Sequence, residues 1–375
     1  MLPKALVFGA TSRSAARSPL RGRLDSVQML RAVAAVSIVA FHTPFFHPIG
    51  NWGVTLFFVI SGFIMCYVTK TNPSHFLQKR ILRIVPLYWA GTLCVFGVAV
   101  VAPSLVQNTT ADLSDLVRSL LFIPFYKGQE VQPVLFLGWT LNLEMFFYLA
   151  FALSLRLSHR YRALICSAIL VVSATCGQVF HFDSVFFQFY TQPIILDFIF
   201  GMISYSVLVG LATRGVGPSS WPARVAWALV GAVFLVSLSL TSEAMPLARI
   251  ITPGVGGTIT LAAVASMSFY AFVYGLAGVG LPRMIVLIGD ASYSLYLFHP
   301  YVIQLFAKAF KSFDADDTGA HLLAVVAIAL CCALSVALYR YVEEPVTKYL
   351  RAKLIGEGAP LVAREQSPAK NVAAS

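Results

Sequence analysis

The chain has 375 residues, of which 58% are hydrophobic and 11% charged, with a mean hydropathy of +0.78. A soluble domain carries roughly 25% charged residues, so a water-soluble globule is excluded, and an all-α, polytopic membrane bundle of about ten transmembrane helices remains. The net charge of +11 then records orientation in a membrane rather than nucleic-acid binding. Cys66, Cys94, Cys166, Cys176, Cys331 and Cys332 all fall in apolar runs, with no C-x-x-C and no His cluster. They read as small hydrophobes, and no metal site is predicted.

Residues 1–24 read as a cytoplasmic tail carrying Arg13, Arg17, Arg21 and Arg23. Such a basic segment before an apolar run resembles a signal peptide. The run holds Arg31, however, and no clear small-residue cleavage site follows Phe41-His42-Thr43-Pro44, so it reads as a retained first span, Val27–Phe45. Arg31 and His42 are eleven residues apart, which puts them on one helix face about 16 Å apart along the axis. A charge inside a span costs roughly 2.5–3.5 kcal/mol. Two such residues in line suggest a polar track. A snorkelling Arg31 and a His42 satisfied by a neighbouring helix is the structural alternative.

The second span, Trp52–Thr69, carries Gly53 and Gly62, which permit close helix approach, and Ser61, which can hydrogen-bond within the bundle. Ahead of the third span, Ile84–Ala102, comes Phe76-Leu-Gln-Lys79-Arg80-Ile-Leu-Arg83-Ile-Val-Pro86. Arg80 and Arg83 share a helix face, and two guanidinium forks at that spacing can grip a phosphate or pyrophosphate. On charge alone, an anchor for membrane lipid head groups is the simpler reading. The connection Pro103–Phe136 is predicted outside, with room for a short helix.

The fourth span, Leu137–Leu155, opens Gly138-Trp139-Thr140-Leu141-Asn142-Leu143-Glu144. Thr140, Glu144 and Tyr148 lie on one face, with Glu144 about two turns inside the apolar boundary. His42 is predicted at comparable depth, and a carboxylate that orients or charges an imidazole builds a general base. Ala163–Phe180 follows, then Phe187–Val209 with Asp197, and Val225–Thr241. Ile250–Leu276 begins with Pro253, Gly254, Gly256 and Gly257, so it is predicted tilted or unwound at its start. Met284–Phe306 carries Asp290, Ser292, Tyr293, Ser294, Tyr296 and His299-Pro300. Ala320–Tyr339 is closed by Glu343-Glu344-Pro345, where either glutamate can pair with Arg80 or Arg83. Residues 25–350 form the membrane domain, and 351–375 read as a disordered cytoplasmic tail.

With the N-terminus inside, the Lys and Arg predicted outside are Arg118, Lys127, Arg249, Lys308 and Lys311, and nearly all others fall inside. This asymmetry predicts a multi-pass protein of the bacterial inner membrane with both termini cytoplasmic.

Taken in order, these motifs resemble the acyltransferase-3 family of bacterial integral-membrane acyltransferases, from Asp25 to Pro345. Arg31…His42 resembles the first-helix signature, and Gly53…Phe57-Phe58…Ser61-Gly62-Phe63 the second. Arg80-Ile-Leu-Arg83…Pro86 matches the paired-arginine motif. Trp139-Thr140-Leu141…Glu144…Tyr148 resembles a Trp-Ser-Leu-x-x-Glu motif with Thr in place of Ser. Asp197-Phe-Ile-Phe-Gly201 and Ser292-Tyr-Ser-Leu-Tyr-Leu-Phe-His299-Pro300 fit later signatures. The form around Glu144 is most like the exopolysaccharide-acetylating members.

The resemblance implies an O-acyltransferase with acetyl-CoA as co-substrate and no tightly bound cofactor. The acceptor it implies is a sugar hydroxyl of an exopolysaccharide or its lipid-linked oligosaccharide precursor. Arg80, Arg83 and Arg31 would hold CoA, and His42 would act as general base or transient acyl carrier with Glu144 as its partner. Ser61, Trp139, Thr140, Tyr148, Asp197, His299 and Glu344 would support them. No appended esterase-like domain is expected, so a route through one calls for a separate partner. The alternatives are a proton-coupled transporter of polysaccharide or small molecules using His42, Glu144 and Asp197, and a non-catalytic scaffold of a polysaccharide-synthesis complex.

Overall fold

In the computed structural model, residues 24–43, 52–71, 73–106, 111–128, 130–214, 220–243, 254–277, 279–310 and 318–356 are described. The first helices are α1 (Asp25–Phe41), α2 (Gly53–Val68), α3 (Phe76–Val101) and α4 (Leu113–Leu120). A two-stranded hairpin of Tyr126–Lys127 and Glu130–Val131 follows. Then come α5 (Gly138–Leu157), α6 (Arg162–Val179), α7 (Val185–Tyr190), α8 (Asp197–Thr213) and α9 (Trp221–Glu243). The chain continues with α10 (Val255–Gly275), α11 (Arg283–Asp290), α12 (Ser292–Phe310), α13 (Thr318–Leu338) and α14 (Glu344–Ile355). The protein is an all-α membrane bundle.

Among the described residues, seven helical stretches are long and apolar enough to cross a membrane: α3, α5, α6, Val185–Thr213, α9, α10 and Thr318–Ile355. α1, α2 and α12 occupy the other three predicted spans. α1 and α2 have 17 and 16 residues. At helical rise they fall short of the roughly 30 Å hydrocarbon core.

Two predicted spans are interrupted. The sixth breaks into α7 and α8 around a 3₁₀ turn at Pro193–Leu196. Pro193 has no N–H to continue α7 and holds Gln192 extended, at ψ 141°. The ninth breaks at Ala291, between α11 and α12. The third begins earlier than its apolar run, so Arg80 and Arg83 lie inside α3. α13 passes through a π-helical turn at Tyr339–Glu343 into α14, which stays helical to Ile355, beyond the predicted start of the tail at residue 351. The Pro103–Phe136 connection does carry a short helix, α4, capped by Asp112 accepting from the backbone N–H groups of Ser114 and Asp115. The hairpin after it had no signal in the sequence. Pro253, residues 357–375 of the predicted tail and residues 1–23 lie outside the described residues, whereas α10 is helical from Val255, Gly256 and Gly257 included.

α2 lies at the centre. It packs against α8 so closely that a Cβ on Gly62 would stand 2.0 Å from the Phe198 carbonyl oxygen, and one on Gly201 1.9 Å from that of Val59. Phe198 is stacked on Phe147 of α5, with ring centroids 4.1 Å apart, and tilted against Phe58 at 4.5 Å. One apolar cluster joins α2, α3, α5 and α8; a second joins α1, α2 and α10; a third joins α1, α12 and α13. Polar side chains on the inward faces of α1, α2, α3, α5 and α12 are thereby gathered around one cavity.

Candidate active site

That cavity is partly open, with about 720 Å³ of empty space including its mouth, and is lined by Arg31, Ser61, Arg80, Arg83, Thr140, Glu144, Tyr148, Ser292, Tyr293 and Tyr296, with Phe57, Phe58 and Ile84 among its apolar walls. The i,i+3 spacing on α3 brings Arg80 and Arg83 to it together. Arg31 joins them from α1, and its Nη1 donates to Gln28 Oε1 at 3.0 Å. Arg31 and Arg80 are 7% and 8% exposed, and the Nε–H of Arg80 has no hydrogen-bond acceptor among the described residues. A buried guanidinium with an unfilled donor is costly in an apolar bundle, and an anionic ligand in the cavity would supply the acceptor.

Glu144 is the acidic side chain in this lining. Ser61 Oγ donates to its Oε1 at 3.1 Å, and the Tyr148 hydroxyl donates to the same oxygen. Arg80 and Arg31 are within electrostatic reach of it. Glu144 therefore serves as counter-charge to the arginines. The sequence reading made it the partner of His42; the side chains that donate to its Oε1 are Ser61 and Tyr148. Ser61 likewise gains a place in the site rather than only in the packing.

His42 is the C-cap of α1 and does not line the cavity. Its Nδ1 lies 2.8 Å from the Ile38 carbonyl oxygen and 3.2 Å from Nε2 of His299, which is 1% exposed. Their ring centroids are 4.9 Å apart, and Phe136 stands edge-on to His42 at 6.2 Å. Tyr296 connects the two regions. Its hydroxyl shares a 2.7 Å hydrogen bond with Thr140 on the cavity wall, and its ring centroid is 6.4 Å from that of His299. Tyr296 thus stands between the polar cavity wall, which it meets at Thr140, and the histidine pair.

The remaining predicted residues sit elsewhere. Asp197, 1% exposed, starts α8 beside Thr55 and away from the cavity lining. Trp139 is half-buried against the apolar core. Glu344 does not pair with Arg80 or Arg83; it accepts from Lys348 at 2.8 Å on the exposed side of α14. Glu343 is the inward one: Ser294 Oγ donates to its Oε2 at 2.5 Å, with Arg83 and Arg31 nearby. Glu343 is the last residue of the π-helical turn, and Glu344 the first of α14. Tyr293 and Tyr296 stood in the sequence only as polar points along a span. Their three-residue spacing, continued to His299, was the available signal for one face of α12.

A cavity with three arginines and one carboxylate, leading to paired imidazoles inside a helical bundle, suits a membrane enzyme that handles an anionic substrate. The chain matches the family described as an acyltransferase domain over residues 24–340. It belongs to this acyltransferase-3 family and is a multi-pass membrane acyltransferase. It is 33% identical over 318 residues to the exopolysaccharide production protein ExoZ of Rhizobium meliloti (strain 1021), covering 83% of this chain and 93% of that one. It is 24% identical over 396 residues to the acyltransferase MdmB of Streptomyces mycarofaciens, covering 92% and 97%. It is also 29% identical over 182 residues to the membrane-bound transacylase BcsY of Komagataeibacter xylinus, covering 43% and 45%. No solved structure matches the chain.

Proposed function

We propose that this protein moves an acetyl group from cytoplasmic acetyl-CoA to a sugar hydroxyl of an exopolysaccharide or its lipid-linked precursor, in the bacterial inner membrane. The observation that carries the reading is the convergence of Arg31, Arg80 and Arg83 on one cavity, with the Arg80 Nε–H unfilled. Guanidinium forks at that spacing suit the phosphates of CoA. The name of the Rhizobium meliloti relative, an exopolysaccharide production protein, supports the acceptor class.

In this reading His42 is the general base. A neutral sugar hydroxyl is a poor nucleophile, and its proton must leave as the oxygen attacks the thioester carbonyl. The O–H bond breaks as His42 gains the proton, the new C–O bond forms, and the C–S bond then breaks to release CoA. By helix rise, Arg31 and His42 are about 16 Å apart along the axis, a distance of the order of an extended pantetheine arm. The thioester can therefore approach the histidines while the phosphates stay with the arginines. Glu144 balances the arginine charge, and Tyr148 and Ser61 hold it in place.

The test is CoA-thiol release from acetyl-CoA by membranes carrying the protein, combined with mass analysis of surface glycans with and without the chain. Thiol release together with a glycan mass difference of one acetyl group per modified sugar supports the reading. An unchanged glycan mass with no thiol release refutes it.

A further inference from the structure

His42 and His299 are built alike on two helices. His42 Nδ1 lies 2.8 Å from the carbonyl oxygen of Ile38, four residues back on α1. His299 Nδ1 lies 3.0 Å from that of Leu295, four residues back on α12. A carbonyl oxygen only accepts, so each Nδ1 carries a hydrogen. The opposite tautomer would set a ring lone pair against a carbonyl lone pair in either case.

Pro300 reinforces the second contact. It has no N–H, which leaves the Tyr296 carbonyl without its helical partner, and that carbonyl also reaches the His299 ring. With its hydrogen on Nδ1, a neutral His299 has its lone pair on Nε2, the atom 3.2 Å from His42 Nδ1. The hydrogen-bond network therefore assigns both tautomers. The single Nδ1–H of His42 is shared, with the Ile38 carbonyl at 2.8 Å as the nearer acceptor and His299 Nε2 at 3.2 Å as the second, and the ring's lone pair is on Nε2.

We infer that His299 is a positioning residue for the transfer reaction, accepting the His42 Nδ1–H so that His42 Nε2 is the atom that takes the proton of the acceptor hydroxyl. The inference rests on the reading of His42 as base. In the step, the hydroxyl O–H bond breaks and an N–H bond forms at His42 Nε2. The oxygen bonds to the thioester carbonyl carbon, the C–S bond breaks, and the departing thiolate receives that proton. His299 stays neutral and touches neither the hydroxyl nor the thioester. Its Nε2 offers the imidazolium of His42 a buried acceptor at the moment the ring is charged.

The experiment uses full-length protein in lipid nanodiscs, labelled with ¹⁵N-histidine, as parent, His299→Phe and His299→Gln, with His42→Asn to assign the His42 signals. In the parent, His42 should show a protonated Nδ1 and an unprotonated Nε2. In His299→Phe the His42 Nδ1 signal should shift, because its hydrogen keeps Ile38 as its one acceptor of the two, while the tautomer stays that of the parent. CoA-thiol release from acetyl-CoA per folded molecule should then fall at least about ten-fold, a part of the roughly 10²–10⁴-fold worth of the general base it supports, while acetyl-CoA binding is unchanged. His299→Gln, whose Oε1 can accept, should recover part of the rate.

A parent spectrum with His42 protonated at Nε2 overturns the inference. So does a His299→Phe protein with undiminished thiol release. Should His299→Phe fail to fold, the parent spectrum and the Gln variant decide. Full activity in folded His42→Ala protein overturns the base reading instead, and leaves the tautomer assignment standing.

Discussion

His42 caps the carbonyl end of α1, and both its backbone N–H and its Nδ1 turn back to Ile38. The partial negative charge of a helix C-terminus favours a cation there, which suits a ring that takes up a proton during turnover. His42→Ala should therefore lower transfer by at least roughly 10²–10⁴-fold, the worth of a general base, while acetyl-CoA still binds, since the arginines belong to the cavity and His42 does not. His42→Gln keeps a hydrogen-bonding group without the basicity and should fail almost as badly. Activity per folded molecule, measured beside acetyl-CoA binding, checks both. That His42 is a polar point within the bundle was legible, because an ionisable residue inside an apolar run announces itself. Its partner was not. Glu144 and His299 lie at similar distances from their span ends, and depth alone cannot say which of two polar residues, 102 or 257 positions away in the chain, packs against α1. Helix rotation decides, and a span that is apolar on every side carries little record of its rotation.

Local spacing is more trustworthy at the scale of an element. Arg80 and Arg83 share a face on any helix, so their joint arrival at the cavity followed from the sequence. Arg80→Ala or Arg83→Ala should weaken acetyl-CoA binding while the protein still inserts, and Lys at either position should restore it only in part, because an ammonium lacks the bidentate fork. Calorimetry with acetyl-CoA on purified protein measures this, and an Arg83→Ala protein that binds as well as the parent removes α3 from the donor site. The crossing of α2 and α8 makes a second prediction. Gly62 and Gly201 let the two backbones touch, and a methyl group on either would fall about 2 Å from a carbonyl oxygen of the other helix. Gly201→Ala should cost at least about 1–3 kcal/mol and lower the melting temperature in detergent. Gly97→Ala on α3, where an added Cβ meets nothing within 4 Å, should leave it unchanged or slightly raised. The interruption at Pro193 was signalled by the proline itself. The one at Ala291 also had a signal, Gly289-Asp290-Ala-Ser292, whose glycine, aspartate and serine are turn and capping residues that the apolar run around them masked.

At the scale of the whole molecule, the direction of the helices ties the site to the membrane. Arg31 is in the N-terminal half of α1, and Arg80 and Arg83 are in the N-terminal half of α3. All three line one cavity, so α1 and α3 enter the bundle from the same side, as the first and third spans of a multi-pass chain must. The lysines and arginines outside the spans concentrate on that same side when the N-terminus is cytoplasmic, and that orientation would put the arginine end of the cavity toward the cytoplasm, as the proposed donor requires. In that orientation the connection from α3 to α5, carrying Asp112 and α4, would lie on the opposite face together with His42, the face at which the proposed function calls for the glycan acceptor. Reporter fusions test the arrangement directly. A fusion at Asp112 should report the extracytoplasmic side and one following Ile355 the cytoplasmic side. Two fusions reporting the same side would require an odd number of crossings to be gained or lost between them. The donor and acceptor ends of the cavity could then no longer be assigned to opposite faces, and a transfer that spans the membrane would lose its geometric basis even with every site residue in place.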